Sequence, residues 1–206
     1  MTQLPLRDVP ERWPVVSSER ACGGAIVTLR DDVVGMPDGG VATRQVVEHP
    51  GAVGIVALDE EQRILMIRQY RHPVASMLWE LPAGLCDVPG EPARATAERE
   101  LLEETGYRAA QWHVLADYFS SPGISTERIW IFLARGLSLV PEAEQNYVKI
   151  HEEAQLTLTW VPLADAVHRF LAGDLHNGVA GVGILSAYTA TLNGFTGLRP
   201  AGATEG

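Results

Sequence analysis

The sequence predicts an α/β fold in which a mixed or antiparallel β-sheet is combined with helices. Two features indicate this fold. Short apolar or alternating runs follow one another at hairpin-like spacing in the first part of the chain. After Pro89 the composition changes to a stretch rich in Ala, Leu, Glu and Arg, which is typical of a helix, before strand-like runs return. A chain of 206 residues is expected to form one domain with a substantial core.

The N-terminal region is expected to begin as an extended arm and to continue as strands. Residues 1–20 are polar and contain three prolines. Strand-like runs follow at residues 25–30 and 31–34. A turn with the sequence MPDGG then leads into a partly alternating strand at residues 41–48.

The middle of the chain predicts two strands followed by a helix. Residues 52–58 (AVGIVAL) form an apolar run suited to a buried strand, and residues 63–71 (RILMIRQYR) resume as a strand after a turn. The helix is expected at residues 91–105, where Glu91 can cap its N-terminus and Pro92 suits the first helical position. A glycine directly after it is a natural helix stop.

The last part of the chain is expected to alternate strands and helices. Strands are predicted at residues 112–119, 128–133 and 156–160. Helices are predicted at residues 163–172 and 181–192. The final stretch, GLRPAGATEG, is expected to be a loose tail because it is short, polar and rich in glycine.

Composition and charge exclude several classes of protein. Apolar residues make up 46% of the chain and charged residues 20%, a globular balance that argues against disorder. The formal net charge of −10 argues against binding to nucleic acid. Only two cysteines, Cys22 and Cys86, are present, which fits a reducing cytoplasm. With no signal-like start and no apolar run of about 18–20 residues, a secreted or membrane protein is not expected.

The main chemical signal is a group of acidic residues on the helix predicted at 91–105. Glu100, Glu103 and Glu104 share one helical face, since residues three and four apart are neighbours there. A divalent cation would offset their mutual repulsion, and oxygen ligands of this kind suit Mg²⁺ or Mn²⁺ better than Zn²⁺. The spacing by itself leaves a solvated acidic face as an open alternative.

The wider pattern around this helix resembles the signature of the Nudix hydrolase family, G-x5-E-x7-R-E-U-x-E-E-x-G-U, where U is apolar. The stretch from residue 84 to residue 107 fills the fixed positions with Gly84, Glu91, Arg99, Glu100, Leu101, Glu103, Glu104 and Gly106. Two departures are visible. The first loop is one residue longer than usual, which costs little in a loop, and Tyr107 stands where an aliphatic residue is usual.

Further segments are similar to the ADP-ribose pyrophosphatase branch of that family. They are residues 43–51 (TRQVVEHPG), 68–72 (RQYRH), 78–84 (LWELPAG) and 151–154 (HEEA). The resemblance implies a Nudix α/β/α sandwich with a mixed β-sheet, preceded by a smaller N-terminal β-rich arm. It also implies Mg²⁺-dependent hydrolysis of ADP-ribose to AMP and ribose 5-phosphate, with Mn²⁺ as a possible substitute.

Two other functions are compatible with the resemblance. The substrate can be another nucleoside-diphosphate sugar or a dinucleotide, because specificity lies in loops outside the signature. The domain can also be a nucleotide sensor without catalysis. Sensors of this kind usually lack signature glutamates, whereas this chain retains all of them, which favours an enzyme.

The resemblance also assigns roles to residues of the signature. Glu100, Glu104 and the backbone carbonyl of Ala83 are the expected metal ligands. Glu103 is placed to bind a second ion or to orient water, and Arg99 is expected to steer a carboxylate. Glu91 is expected to stabilise the junction between loop and helix.

Outside the signature, the general base and the substrate-binding residues are assigned to other segments of the same branch. Glu153 is the favoured general base, with Glu152 as the alternative. Arg44 and Arg71 are the expected clamps for phosphate and ribose, because a guanidinium presents a planar fork to phosphate oxygens. Glu80 is expected either to point into the site or to make a structural hydrogen bond.

Three regions and a dimer complete the expectation. Residues 1–48 are expected to form an N-terminal arm with strands that dimerises, residues 49–195 the hydrolase domain, and residues 196–206 a flexible tail. Members of this branch commonly exchange N-terminal strands, and closed two-fold dimers are the commonest soluble oligomer. A homodimer acting on a small nucleoside diphosphate, with no nucleic acid or membrane partner, is therefore predicted.

Overall fold

The computed structural model describes residues 6–145 and 156–204. The chain divides into two compact units. One contains the residues up to His49 together with Ser121–Thr126, and the other contains Pro50–Ser120 and the chain from Glu127 onward. No helix in the described part of the chain is long and apolar enough to span a membrane.

The first unit is an antiparallel three-stranded sheet with the order β1-β2-β3. Its strands are β1 (Val15–Gly23), β2 (Thr28–Gly35) and β3 (Val41–Glu48). The prediction of β3 is confirmed. The prediction that residues up to 20 remain a plain extended arm is wrong, because β1 starts at Val15 and pairs with β2. The sequence of β1 carries no alternating apolar pattern, because every residue of this strand is exposed in the single chain and none must be apolar.

The second unit contains a three-stranded sheet and a five-stranded sheet. The three-stranded sheet has the order β10-β5-β6 and consists of β5 (Arg63–Arg71), β6 (Ser76–Glu80) and β10 (Thr157–Pro162). The five-stranded sheet has the order β11-β8-β9-β4-β7. Its strands are β4 (Ala52–Ala57), β7 (Ala83–Leu85), β8 (Tyr107–Phe119), β9 (Arg128–Leu139) and β11 (Arg199–Pro200).

The five-stranded sheet is mixed, as expected. Strands β4 and β9 are parallel, whereas the other pairs in this sheet are antiparallel. Strands β8 and β9 are longer than predicted, because residues 107–111 pair with residues 135–139. That extension mixes polar and apolar residues and is partly exposed, so it lacks the continuous apolar run from which the strand was predicted.

Three α-helices flank the sheets in the described residues: α1 (Ala93–Thr105), α2 (Leu163–Leu171) and α3 (Gly178–Leu192). The expected start of α1 is corrected, because Pro92 occupies the N-cap position and no side chain caps the helix. Gly106 ends α1 with a positive φ of 77°, a conformation that favours glycine. Helix α3 begins earlier than predicted because the Asn177 side chain accepts a hydrogen bond from the Ala180 N–H.

The core lies on both faces of the five-stranded sheet. Val53 and Ile55 of β4 belong to a buried cluster with Leu101 of α1. Val56, on the opposite face of the same strand, belongs to a second cluster with Ile184 of α3. Successive residues of a strand point to opposite faces, so one strand contributes to both layers. The α/β/α sandwich is confirmed.

The C-terminal segment differs from the expected loose tail. Arg199 and Pro200 pair with β8, and Ala201 is buried against the core. The Arg199 guanidinium lies 2.5 Å from Asp117, whose other oxygen accepts hydrogen bonds from Arg128. Burial raises the pKa of Asp117, but the hydrogen bonds from Arg128 and Arg199 outweigh it and hold the pKa below its ordinary value.

This arrangement predicts a pH-dependent contribution to stability. Asp117→Asn is expected to lower the free energy of unfolding at pH 7 by roughly 1–2 kcal/mol, because charge-assisted hydrogen bonds are lost at a partly exposed site. Because the pKa of Asp117 is lowered in the folded protein, its charged form stabilises the fold at pH values above 3.8, the ordinary pKa of the group. This contribution is lost as the pH falls below 3.8 and the carboxylate of the folded protein becomes protonated. Urea unfolding across pH 3–7 tests this, with the exposed Asp87→Asn as control. A difference between wild type and variant that is independent of pH would contradict the expectation.

Candidate active site

Two backbone residues of β7 and one face of α1 form the centre of the site. Gly84 lies so close to Glu100 that a Cβ built on it would be 2.1 Å from the Glu100 carboxyl carbon. Glu104 is buried, and its Oε2 accepts a hydrogen bond from the Ala83 N–H at 2.9 Å. The structure therefore brings the predicted metal-ligating residues Ala83, Glu100 and Glu104 together, and it explains why position 84 in β7 is a glycine.

Arg99 holds several carboxylates around this centre. Its Nη1 donates to Glu100 at 2.7 Å and to Glu103 at 3.2 Å, and its Nη2 donates to Glu91 at 3.2 Å. Partial burial lowers the pKa of Arg99, but the hydrogen bond with Glu91 and the charge of Glu100 outweigh it and raise the pKa. The guanidinium is therefore permanently charged, and its contacts fit the expected role of steering a carboxylate.

Glu91 joins the loop to the helix through its side chain. Its carboxylate accepts hydrogen bonds from Arg99 and, at 2.9 Å, from the hydroxyl of Thr96. The hydrogen bond from Arg99 is the main reason that the pKa of Glu91 is lowered. Thr96 is fully buried and was missed in the sequence, because nothing in its position along the helix indicates a hydrogen bond to a carboxylate five residues earlier.

The donors at this site fit a hydrated divalent cation. The Arg99 guanidinium contacts three carboxylates, those of Glu91, Glu100 and Glu103, and Glu104 adds a fourth on the same helix, so this acidic cluster carries excess negative charge. Within residues 6–145 and 156–204, no three Asp, Glu, His or Cys side chains form a metal cage. Mg²⁺ suits such a site, because it keeps several waters and binds through one or two carboxylates plus substrate phosphates.

Two predicted substrate-binding residues form an ion pair with each other. The Arg71 Nε donates to Glu80 Oε1 at 2.9 Å, and the Arg71 Nη2 donates to Glu80 Oε2 at 2.6 Å. Glu80 is 2% exposed, whereas the Arg71 side chain is 45% exposed. The geometry favours the structural alternative for Glu80, which holds a partly exposed arginine in place.

The other predicted residues lie elsewhere. Arg44 belongs to the first compact unit, where it is exposed and donates to the Thr43 carbonyl at 3.1 Å. Glu153, the predicted general base, and its alternative Glu152 lie outside the described residues. Gln69, which sequence reasoning missed, is buried beside Glu80.

An acidic helix face packed against a strand end, on an α/β/α sandwich, has the chemistry of a divalent-cation-assisted hydrolase. The family model for the NUDIX domain matches residues 48–179. The chain belongs to the Nudix hydrolase family, whose members generally use divalent metal ions.

Curated relatives extend this similarity over most of the chain. An ADP-ribose pyrophosphatase of Mycobacterium tuberculosis is 49% identical, covering 91% of this chain and 88% of the relative. A methanol dehydrogenase activator of Bacillus methanolicus is 37% identical, with coverages of 74% and 80%. An ADP-ribose pyrophosphatase of Bacillus subtilis is 36% identical, with coverages of 66% and 76%.

A solved structure supports the fold. The crystal structure of an ADP compounds hydrolase superimposes with a TM-score of 0.72, covering 92% of this chain and 99% of the neighbour. The sequence identity is 20%, so this likeness concerns the fold.

Proposed function

We propose that the protein hydrolyses the pyrophosphate of ADP-ribose to AMP and ribose 5-phosphate, with Mg²⁺ as its cofactor. The observation that carries this proposal is the convergence of Glu100 and Glu104 on the backbone of Ala83 and Gly84. Two relatives named ADP-ribose pyrophosphatase support the choice of substrate.

The residues of the acidic cluster divide the work in this proposal. Glu100, Glu104 and the Ala83 carbonyl hold Mg²⁺, which neutralises charge on the pyrophosphate when bound. Glu103 orients water or helps to bind a second ion. Arg99 keeps Glu100 and Glu103 at fixed positions, because it donates to both.

Residues outside the cluster bind the substrate and activate water. Arg71 donates to phosphate or ribose oxygens while Glu80 fixes its guanidinium, as their two-point ion pair suggests. Arg44 is proposed as a second phosphate-binding residue on the basis of its segment's similarity to the family branch. Glu153 is proposed as the general base, on the same basis.

The substrate proposal predicts a ranking of specificity constants. ADP-ribose is expected to have a higher kcat/KM than ADP-glucose, NADH and diadenosine polyphosphates. The reason is that Arg44 and Arg71 lie in segments that are similar to the ADP-ribose pyrophosphatase branch and that are separate from the general signature. Chromatographic separation of the products with Mg²⁺ present measures this, and protein with EDTA serves as control. A clear preference for NADH or a dinucleoside polyphosphate would overturn the proposed substrate and leave the family membership unchanged.

We also propose a homodimer formed through the N-terminal strands. The first unit exposes several apolar side chains in the single chain, among them Val15, Val16 and Val41. Burying such side chains against a second copy would be favourable. A location in the cytoplasm and the lack of nucleic-acid and membrane partners stay predictions from composition.

The dimer proposal predicts twice the monomer mass of 22.4 kDa in sedimentation equilibrium at micromolar concentration. Val41→Asp is expected to weaken the dimer, because it places a charge among the exposed valines of the first unit. Val74→Asp, at an exposed valine of the second unit, is the matched control. Deletion of residues 1–48 is expected to abolish both dimer and activity. A single species of 22.4 kDa for the intact chain would reject the dimer.

A further inference from the structure

Gln69 is a buried polar residue that is not part of the acidic cluster around Arg99. It lies on β5, two residues before Arg71, so the two side chains project from the same face of the strand. It is 8% exposed, and its Nε2 donates a hydrogen bond to Glu80 Oε2 at 3.1 Å. Gln69 therefore contacts the same carboxylate that holds Arg71.

The buried carboxylate of Glu80 needs the hydrogen bonds that Gln69 and Arg71 donate, because water hardly reaches it. Strand β6 places it opposite Ile67 of β5, diagonally across from Gln69. Its Oε2 accepts from the Gln69 amide and from Arg71, while its Oε1 accepts from Arg71. A buried carboxylate is costly unless its oxygens are hydrogen-bonded, so the three side chains form a unit with one preferred arrangement.

We propose that Gln69 is a positioning residue for substrate binding, which fixes the Glu80 carboxylate so that Arg71 presents its guanidinium in one orientation. The inference rests on the proposed role of Arg71 in binding the substrate. An amide suits this position because it donates a hydrogen bond without adding charge. Among Gln69, Arg71 and Glu80, the positive charge of Arg71 is therefore balanced by a single carboxylate, that of Glu80.

The proposal predicts a specific kinetic effect for Gln69→Met, which keeps the length of the side chain and removes the donor. KM for ADP-ribose is expected to rise roughly 3–10-fold, with kcat within about twofold of wild type, because substrate binding changes while the acidic cluster around Arg99 does not. Tyr70→Phe is the matched control. Tyr70 is the next residue of β5, lies on the opposite face and is 42% exposed, and its substitution also removes one polar group.

A double-mutant cycle with Arg71→Ala tests whether Gln69 acts through Arg71. In the Arg71→Ala background, Gln69→Met is expected to cause no further rise in KM, since the residue it positions is absent. Thermal unfolding of each variant establishes that it is folded. If Gln69→Met fails to fold, Gln69→Thr replaces it, because threonine suits a strand and is too short to reach Glu80.

The outcomes separate this inference from the proposed function. Coupled effects of the two substitutions on KM support the positioning role. Additive effects, an unchanged KM in the folded Gln69 variant, or a loss confined to kcat would overturn it. If Arg71→Ala alone leaves KM unchanged, the role of Arg71 in the proposed function fails, and the inference about Gln69 fails with it.

Discussion

Glu104→Gln is expected to lower kcat by about 10²–10³-fold at saturating Mg²⁺ while the protein stays folded. A bound divalent ion contributes several kcal/mol of charge stabilisation, and each ~1.4 kcal/mol corresponds to a factor of ten in rate. Glutamine keeps the size of the side chain and an oxygen that can accept from the Ala83 N–H, whose bond to Glu104 is 2.9 Å long. What it removes is the charge that a metal ion requires.

Glu100→Gln is expected to behave in the same way, and Glu98→Gln is the matched control on the same helix. Glu98 is exposed and pairs with Arg94 at 2.9 Å, away from the acidic cluster, so its substitution should leave kcat unchanged. Steady-state kinetics over a range of Mg²⁺ concentrations, together with thermal unfolding, checks both effects. Wild-type turnover at saturating Mg²⁺ in the Glu100 and Glu104 variants would show that neither residue holds the metal.

Glu153→Gln is expected to lower kcat by about 10²–10⁴-fold, the range over which a general base contributes to proton transfer. The amide cannot accept the proton from the attacking water, so the loss should persist at saturating substrate and Mg²⁺. The pH profile should also change, because the rise of kcat with pH that reports deprotonation of the base is lost. Stopped assays with ADP-ribose between pH 5 and pH 9 measure both quantities.

The neighbouring Glu152→Gln is the control for this assignment, since it removes an equal charge one residue away. Its kcat is expected to stay within a few-fold of wild type. A larger loss in Glu152→Gln than in Glu153→Gln would transfer the role to Glu152. Wild-type kcat in both variants would place the base outside this pair of residues.

The helix and strands with strong local patterns could be predicted from the sequence. The bounds of β3 and β5 agree with the prediction, and α1 begins two residues later than expected. Strand β1 and the pairing of Arg199 with β8 could not be predicted. Both segments are short or polar, and their conformation depends on a partner strand that is distant in sequence, so neither carries a periodic apolar signal.

The candidate site was predictable where its residues share one helix. Helical spacing predicted that Glu100 and Glu104 share a face, and the resemblance to the family signature implied that they meet the backbone of Ala83. The supporting residues were not predictable. Thr96 donates to Glu91, which lies just before the same helix, and Gln69 donates to Glu80 on the neighbouring strand. A polar residue in either position has no distinctive sequence pattern.

The resemblance of residues 84–107 to the Nudix signature predicted the class of this protein, and helical periodicity placed Glu100, Glu103 and Glu104 on one face, because residues three and four apart on a helix share a face whatever surrounds them. Only the tertiary structure decided which partner each charge finds. Arg71 and Glu80 were separate candidates in the sequence, yet strand pairing makes them one ion pair. Burial is the physical reason, since a carboxylate that is 2% exposed must find its partners among the groups that the fold brings to it.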